Sequence, residues 1–422
     1  MVGVLMLVAT NPWAVYAQSS PADPSEFLQV EGAHIRLITD LPHEAEAHEL
    51  VQCFDLAVEH WRNRFQVPPS QVGQWKCTAC IMLERQRFEQ AGLISTSIPE
   101  FPYGFQYGDQ LWVSEQPSAY YRRHLLLHEG THWFMWRKYG TVGPPWLMEG
   151  MAEWLATHRW DPRGPTLDLG IIPHTKNEVP YWGRVKLIQD QLVDGQAPSL
   201  ETVLRYDTSA HRRVEAYAWS WAAVLFFAHH PQTRGAFERL LRDELPPGTA
   251  STRQLFRQLQ PRWPELRAAW SAWVTELDYG ADLSRMAISL APCPPLTTAQ
   301  RTTIDAAGGW QSAGCCVAAE TMVEIVAEGQ FTLADAPRPW WATPDGVTLE
   351  YYRGQPLGKL LLVVLGPIDQ EPAVTERLRI IPVGGRATVK LERGGELFFR
   401  LNEATGDLSD NRGTITIDIR PL

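Results

Sequence analysis

Hydrophobic spacing divides the chain into three parts with different predicted elements. From residue 27 to about residue 117, short apolar runs that alternate like strands are interleaved with segments of helical period. This first part is therefore predicted to be α/β. Strands are predicted at His34–Thr39, Cys77–Leu83 and Gln110–Ser114, helices at Glu44–Phe65 and Arg85–Ala91, and a Gly- and Tyr-rich turn at Tyr103–Gly108.

The second part, residues 118–290, has a helical pattern. Ser118 can cap a helix that runs to about Tyr139, and Gly140 suits the position after its end. Pro144 and Pro145 open a second helix, from Trp146 to about His158. Further helices are predicted at Tyr181–Leu192, Val214–His229, Arg234–Glu244 and Trp263–Glu276.

In the third part, strands alternate with Gly and Pro turns to the end of the chain. Their number and spacing predict an all-β sandwich over residues 295–422. The fold class is therefore predicted to be α+β, with residues 27–117 and 118–290 forming one unit ahead of the sandwich. The strands are predicted at Met322–Val326, Leu349–Tyr352, Lys359–Leu365, Leu378–Pro382, Ala387–Leu391, Glu396–Leu401 and Thr414–Ile419.

Residues 1–17 are predicted to be an export signal. Val2–Ala9 forms a short apolar core, and Ala17 offers a cleavage site before Gln18. A polar, Pro-rich linker follows at residues 18–26. A membrane anchor is the alternative, but the apolar run is short for a bilayer span. We therefore expect a secreted or periplasmic protein with no transmembrane anchor.

The six cysteines fit an oxidising compartment. Disulfides are expected to form within each half of the chain. Cys53 would pair with Cys77 or Cys80, and Cys293 would pair with Cys315 or Cys316.

The composition is that of a soluble globular protein. Apolar residues make up 45% of the 422 residues, and charged residues make up 20%. The 48 acidic side chains outnumber the 38 basic ones, which gives a net charge of −10. Because phosphate binding requires a basic face, this balance argues against nucleic acid as a partner.

The sequence HEGTH lies on the predicted helix after Ser118. His128 and His132 are one helical turn apart, so both imidazoles leave the same face and can share one Zn²⁺. Glu129 then lies toward the open side of the ion, where it can act as general base toward a water that the ion acidifies. The alternative is a pair of amphipathic helices that happen to be rich in His and Glu.

A catalytic zinc takes three protein ligands and leaves one position open. The short Gly140–Pro145 turn allows two antiparallel helices, which would bring Glu149 back to the His pair as third ligand. Glu153 shares the face of Glu149 and can accept the outer N–H of a ligand His. A solvated acidic stripe is the alternative for both. His124, one turn before His128, is interpreted as a supporting residue.

HEGTH followed by WLMEGMAEW resembles the gluzincin clan of zinc metallopeptidases, and especially the peptidase MA-like group of exported bacterial proteins. The resemblance covers about Ile35 to Leu277. It implies a gluzincin-type unit, with a small mixed sheet and a helical subdomain. It also implies His128, His132 and Glu149 as zinc ligands, Glu129 as base and Glu153 as the residue that orients a ligand. Met148 replaces the Asn of the aminopeptidases and no GAMEN-type motif precedes HEGTH, which favours an endopeptidase.

Peptide hydrolysis also needs a donor for the developing oxyanion. The candidates are Tyr181, Tyr206, His211 and Tyr217. VEAYAWSWAAVLFF resembles the clan's helix that carries a Tyr, which favours Tyr217, and an ordinary core aromatic is the alternative. The Gln110–Ser114 strand resembles the clan's edge strand, which holds an extended substrate.

The β part resembles galactose-binding-like sandwiches, including a bacterial galactose lectin. The resemblance rests on GWQSAGCCVAAETMVEIVAEGQF, GQPLGKLLLVV and GGELFFRLNEATGDLSDNRGTITIDI. It implies a glycan ligand and Ca²⁺ in this part. The matching oxygen ligands are Asn402, Asp407, Asp410 and Asn411. The alternative is a turn rich in Asp and Asn.

Together these features lead us to expect an exported zinc metallopeptidase that acts on a peptide or protein substrate. One alternative is a catalytically silent, zinc-containing protein whose sandwich recognises a glycan or a surface. A second is a metal hydrolase that acts on non-peptide amides.

Overall fold

The computed structural model describes residues 26–141, 143–242, 245–335 and 338–422. The predicted export signal, and all but the last residue of the predicted linker, lie outside these ranges. The predicted α+β fold class is confirmed: a mixed sheet and a helical region precede an all-β sandwich.

The first part forms a five-stranded mixed sheet in the order β1-β2-β3-β5-β4. The three inner strands run parallel, and the two outer strands are antiparallel to their neighbours. The strands are β1 (Leu28–Glu31), β2 (Ile35–Thr39), β3 (Cys77–Met82), β4 (Gly104–Tyr107) and β5 (Gln110–Ser114).

The structure corrects two predictions about this sheet. Tyr103–Gly108 was predicted to be a turn, but Gly104–Tyr107 is strand β4, and the predicted edge strand β5 lies between β3 and β4. β4 and β5 form a hairpin with Gly108 and Asp109 as its two-residue loop, and Gly108 has a φ of 57°. A Gly at positive φ is what such a tight loop requires. β4 is therefore the edge of the sheet on this side.

The helical part lies against this sheet. Its first helix, α4, begins after the Ser118 cap and ends before Gly140, and both predicted ends are confirmed. Ser118 Oγ accepts from the Tyr121 N–H at 3.1 Å, and Gly140 has a left-handed backbone conformation. α5 ends at Ala156, before the predicted His158, because His158 begins the short hairpin of β6 and β7. The elements are α1 (Glu44–Phe65), α2 (Pro69–Val72), α3 (Arg85–Gln90), α4 (Ala119–Tyr139), α5 (Pro145–Ala156), β6 (His158–Asp161), β7 (Thr166–Leu169), α6 (Arg184–Val193), α7 (Leu200–Leu204), α8 (Val214–His229), α9 (Arg234–Arg242), α10 (Ala250–Leu259), α11 (Trp263–Glu276) and α12 (Leu283–Met286).

One large apolar core joins the sheet to the helices and is rich in Trp. Trp61 of α1, Trp133 of α4 and Trp146 of α5 are fully buried in it. Helices α5 and α8 approach closely because Gly150 has no side chain, and a Cβ there would overlap the backbone oxygen of Ser220. This packing fixes α5 between α4 and α8.

The last part is a sandwich of two antiparallel sheets. One sheet has the order β12-β11-β19-β10-β17, with β8 also paired to β19, and the other has the order β16-β15-β18-β9. Apolar side chains from both sheets form a separate core between them. The strands are β8 (Gln300–Asp305), β9 (Gln311–Val317), β10 (Thr321–Glu328), β11 (Phe331–Thr332), β12 (Trp341–Ala342), β13 (Val347–Tyr352), β14 (Gln355–Leu357), β15 (Leu360–Leu365), β16 (Ile381–Pro382), β17 (Arg386–Leu391), β18 (Gly395–Leu401) and β19 (Arg412–Pro421).

The outer face of the smaller sheet packs on α11. A third apolar cluster contains Ala268 and Ala272 of α11 together with Leu361 of β15 and Phe398 of β18. Beside it, Glu276 and Arg400 form an ion pair at 3.0 Å, and both are almost fully buried. The sandwich therefore shares packing with the helical part. The boundary placed between residues 290 and 295 stays a prediction.

The cysteines follow the prediction only in the second half. Cys293 and Cys316 form a disulfide, which is consistent with an extracellular location. The predicted pairing of Cys53 with Cys77 or Cys80 is wrong, because all three are free and buried. Cys77 and Cys80 are an odd number of residues apart on β3, so their side chains face opposite sides of the sheet, and Cys80 lies in a cluster away from Cys53.

Among the described residues, no helix is long and apolar enough to span a bilayer.

Candidate metal centre

The two His side chains of HEGTH converge with the first Glu of α5. His128 Nε2 lies 3.2 Å from His132 Nε2 and 3.2 Å from Glu149 Oε2, and His132 Nε2 lies 3.5 Å from the same oxygen. Tetrahedral zinc with bonds of about 2.0–2.1 Å holds its ligand atoms roughly 3.3 Å apart. The triangle formed by these three atoms thus has the dimensions of one face of a tetrahedral site. This buried His/Glu group can hold a metal ion.

Helix packing explains why these side chains meet. His128 and His132 leave one face of α4, and α5 returns antiparallel along that face after the short turn. His128 and Glu149 are buried, and His132 is largely buried. Polar groups in such a core are costly unless each has a partner. The arrangement excludes the solvated stripe that was the alternative for Glu149 and Glu153.

Glu129 lies between the His pair and the edge of the sheet. Its carboxylate is buried and faces β4, where a Cβ at Gly104 would overlap Glu129 Oε1. Gly104 therefore leaves the space that the carboxylate occupies. The carboxylate is therefore in contact with the edge strand of the sheet.

Glu153 lies behind His128. Its Oε1 is 3.4 Å from His128 Nδ1, and its Oε2 is 3.4 Å from His124 Nε2. Arg184 of α6 binds the same carboxylate with two hydrogen bonds of 2.9 Å. Burial opposes the charge of Glu153, but Arg184 and the two His side chains hold its pKa well below the usual range. His124 contacts Glu153, as expected for a supporting residue.

Of the oxyanion donor candidates, Tyr217 lies beside the centre. Its ring centroid is 6.0 Å from that of His128. Burial and the carboxylates of Glu149, Glu129 and Glu153 raise its pKa, so the hydroxyl keeps the proton that a donor needs. Tyr181 is exposed, Tyr206 packs under Arg213, and the side chain of His211 lies outside the described part.

Burial and the neighbouring carboxylates have opposite effects on the proton affinity of His128. Burial favours the neutral imidazole, but hydrogen bonding to Glu149 and Glu153 raises the pKa of His128 to about 10. The centre therefore holds a proton near neutral pH, and a metal ion must displace it.

A second acidic group lines a cleft of the sandwich. Two of the predicted Ca²⁺ ligands, Asp407 and Asp410, line it together with Glu350 and Glu403. Burial raises the pKa of Glu403 to about 7, with further increases from Asp407, Asp410 and Glu350 and a decrease from its hydrogen bond with Asn411.

The two predicted Asn ligands occupy different positions. Asn411 is fully buried and donates to Glu403 at 2.8 Å, while its Oδ1 has no hydrogen-bond partner among the described residues. Asn402 instead uses its amide N–H groups on the carbonyls of Tyr352, Gln355 and Pro356.

Sequence reasoning missed several residues of both sites. Glu403 is adjacent to the predicted Asn402, so the same motif carried a signal for it. Gly104, Arg184 and Glu350 come from distant elements, and no local pattern marks them. Their roles depend on tertiary packing alone.

Comparison with known proteins identifies no family. No family model and no curated protein matches the chain. The chain is similar to the solved N-terminal domain of EclA, described as a PllA-like lectin, with 17% identity and a TM-score of 0.23 over 29% of this chain and 96% of that one. It is also similar to IMPa from Pseudomonas aeruginosa in complex with an O-glycopeptide, with 13% identity and a TM-score of 0.17. That match covers 92% of this chain and 46% of the other. Both TM-scores are too low to establish a shared fold.

The raised pKa of His128 predicts how metal affinity depends on pH. Because the proton must leave before the metal binds, the affinity for Zn²⁺ should rise about tenfold per pH unit between about pH 7 and pH 9. In the metal-free protein the same proton stabilises the fold below the ordinary His pKa, and this contribution is lost as pH rises through about 10. Chelator competition at several pH values measures the affinity. An affinity that stays constant over this range would contradict the assignment.

Proposed function

We propose that this protein is an exported zinc-dependent metallopeptidase. It hydrolyses interior bonds of peptide chains and is therefore an endopeptidase. The observation that carries the proposal is the convergence of His128, His132 and Glu149 at separations of 3.2–3.5 Å, with Glu129 beside them. When bound, zinc would supply Lewis acidity toward a carbonyl and acidify a water molecule. The disulfide supports an exported location.

The residues around the centre have distinct roles in this proposal. Glu129 takes a proton from the attacking water and passes it to the leaving amine. An extended substrate would pair with β4, since this strand has a sheet partner on one side only in the described part of the chain. Gly104 lies on that strand and against Glu129, so the backbone of a substrate paired with β4 would lie close to the Glu129 carboxylate.

Tyr217 would stabilise the oxyanion. A phenol O–H that reaches the carbonyl oxygen gains strength as negative charge develops there, so it lowers the barrier more than it strengthens substrate binding. The support for this role is the position of its ring beside His128, together with a hydroxyl that stays protonated.

Two other functions are separated from peptidase activity by one assay. A catalytically silent binding protein would carry zinc but cleave no peptide. A hydrolase of non-peptide amides would cleave small amides and spare peptides. Quenched-fluorescence peptides, with and without a chelator, separate the peptidase from both alternatives, and cleavage of small non-peptide amides then separates the two alternatives from each other.

Glu129→Gln tests the base. Gln keeps the size of the side chain but cannot accept the proton, so the variant should keep its zinc and lose at least about 100-fold in kcat. Glu201→Gln is a matched control, because Glu201 is equally buried but pairs with Trp263 and Arg267 away from the centre. Near-normal turnover by the Glu129 variant would assign the base to another residue.

Tyr217→Phe tests the oxyanion donor. The loss of one such donor should lower kcat by about 100-fold or more, with little change in KM or zinc content. Tyr206→Phe serves as control, because Tyr206 packs under Arg213 and should be silent. An unchanged kcat with a lowered melting temperature would make Tyr217 a structural aromatic.

A second candidate function is Ca²⁺-dependent glycan binding by the sandwich. It is favoured by the crowding of Glu350, Glu403, Asp407 and Asp410 around one cleft. Asn411 donates to Glu403, and its Oδ1 has no hydrogen-bond partner in the described part of the chain. Carboxylate and amide oxygens are the ligands that Ca²⁺ prefers, and a cation would relieve the repulsion among the carboxylates.

Ca²⁺ should bind this cleft with a Kd of about 0.1–1 mM, the range of extracellular modules. The measurement is calorimetric titration of the full chain. Asp407→Asn with Asp410→Asn should weaken binding at least about tenfold by removing two charges, whereas Asp418→Asn, on the outside of β19, should have no effect. Binding that is equal in all three proteins, or absent in all, would contradict this second function.

A further inference from the structure

We propose that Arg184 is a positioning residue of the metal centre, which holds Glu153 so that its carboxylate orients the ligand His128. The inference rests on the proposed zinc site and adds to it a residue from a separate helix. Arg184 is the first residue of α6, whereas the ligands come from α4 and α5.

The first argument is the geometry of the contact. Arg184 Nε donates to Glu153 Oε2 and Arg184 Nη2 donates to Glu153 Oε1, both at 2.9 Å. Arg184 is 7% exposed and Glu153 is 1% exposed, so water competes little with this pair. Two parallel hydrogen bonds fix the plane of the carboxylate as well as its distance.

The second argument is that each oxygen of Glu153 also faces one imidazole. Oε1 is 3.4 Å from His128 Nδ1, and Oε2 is 3.4 Å from His124 Nε2. An imidazole that binds a metal through Nε2 carries its proton on Nδ1 and needs an acceptor there. If Glu153 rotated, the acceptor would leave His128, and the guanidinium prevents that rotation.

The third argument concerns the alternative use of the same residues. His124, His128 and Glu153 are close enough to hold a metal ion themselves. However, Arg184 already binds both oxygens of Glu153 and supplies the positive charge at this position. His124 Nδ1 donates to the Ala156 carbonyl at 3.0 Å, which fastens this His to the end of α5. We therefore infer a support for the neighbouring centre, and not a second metal site.

The fourth argument is the backbone that delivers Arg184. Tyr181 has a φ of 71° and Gly183 a φ of 62°, so the chain turns sharply just before α6. A non-Gly residue in this region is strained and needs compensation from its surroundings.

Trp182, which lies between Tyr181 and Gly183, supplies this compensation. It is buried, and its ring packs edge-on against that of Trp221 of α8, with 4.9 Å between the ring centroids. The turn thus directs Arg184 inward, where it also contacts Tyr121 and lies 5.8 Å from the ring of Tyr217.

The test measures zinc affinity by chelator competition in the full chain, with the melting temperature as a parallel readout. Arg184→Met should weaken zinc binding about 10–100-fold, the usual effect of losing a group that supports a ligand. Arg184→Lys keeps the charge but cannot form the two-point contact, so it should stay folded and still bind zinc about tenfold more weakly. The control is Arg122→Met, because Arg122 is also on a site helix but pairs with Glu115 and Glu46.

The results for the variants test the positioning role, whereas the result for the wild type tests the zinc site itself. A folded Arg184→Lys protein with wild-type zinc affinity would overturn the positioning role and leave the proposed function intact. If Arg184→Met fails to fold, the Lys variant alone decides. An equal loss of affinity in Arg122→Met would also overturn the role, since the effect would then be general. A wild-type protein that binds no zinc would overturn both proposals.

Discussion

The packing of α5 against α4 is the contact on which the rest of the structure depends. It buries Glu129, Glu149 and Glu153 beside His128 in an apolar core that is rich in Trp and Leu. Buried carboxylates are costly unless each one is compensated. With neutral imidazoles, three carboxylates and the one guanidinium of Arg184 leave two negative charges in this group. A divalent cation among His128, His132 and Glu149 would restore neutrality, and in its absence the proton held by His128 compensates part of the charge.

The same contact connects the centre to the remainder of the molecule. On one side, Glu129 faces the edge strand β4, so the sheet contacts the residue that we propose as the base. On the other side, α5 packs on α8, which presents Tyr217, and α6 brings Arg184 to Glu153. Farther along the chain, α11 joins the sandwich through an apolar cluster and the buried Glu276–Arg400 pair. The sandwich and its acidic cleft are thus packed onto the unit that holds the centre.

Much of this arrangement could be predicted from the sequence because its determinants are local. The i, i+4 spacing of His128 and His132, the Ser118 cap and the Gly140 end define α4, and a short turn then leaves α5 few ways to pack. Where pairing depends on distant segments, prediction failed. The Gly and Tyr residues of β4 are typical of turns, and only its pairing with β5 makes it a strand. Arg184 and Glu350 reach their sites through tertiary packing, and Cys53 stays free although Cys77 shares its core.

The central claim is that His128, His132 and Glu149 bind one zinc ion. The most direct test is a crystal structure of the purified protein with diffraction data collected on both sides of the zinc absorption edge. The account predicts one strong anomalous peak that is about 2.0–2.2 Å from His128 Nε2, His132 Nε2 and a carboxylate oxygen of Glu149, and that vanishes below the edge. Three intact side chains with no peak between them in zinc-supplemented crystals, or a peak that lies elsewhere, would contradict it.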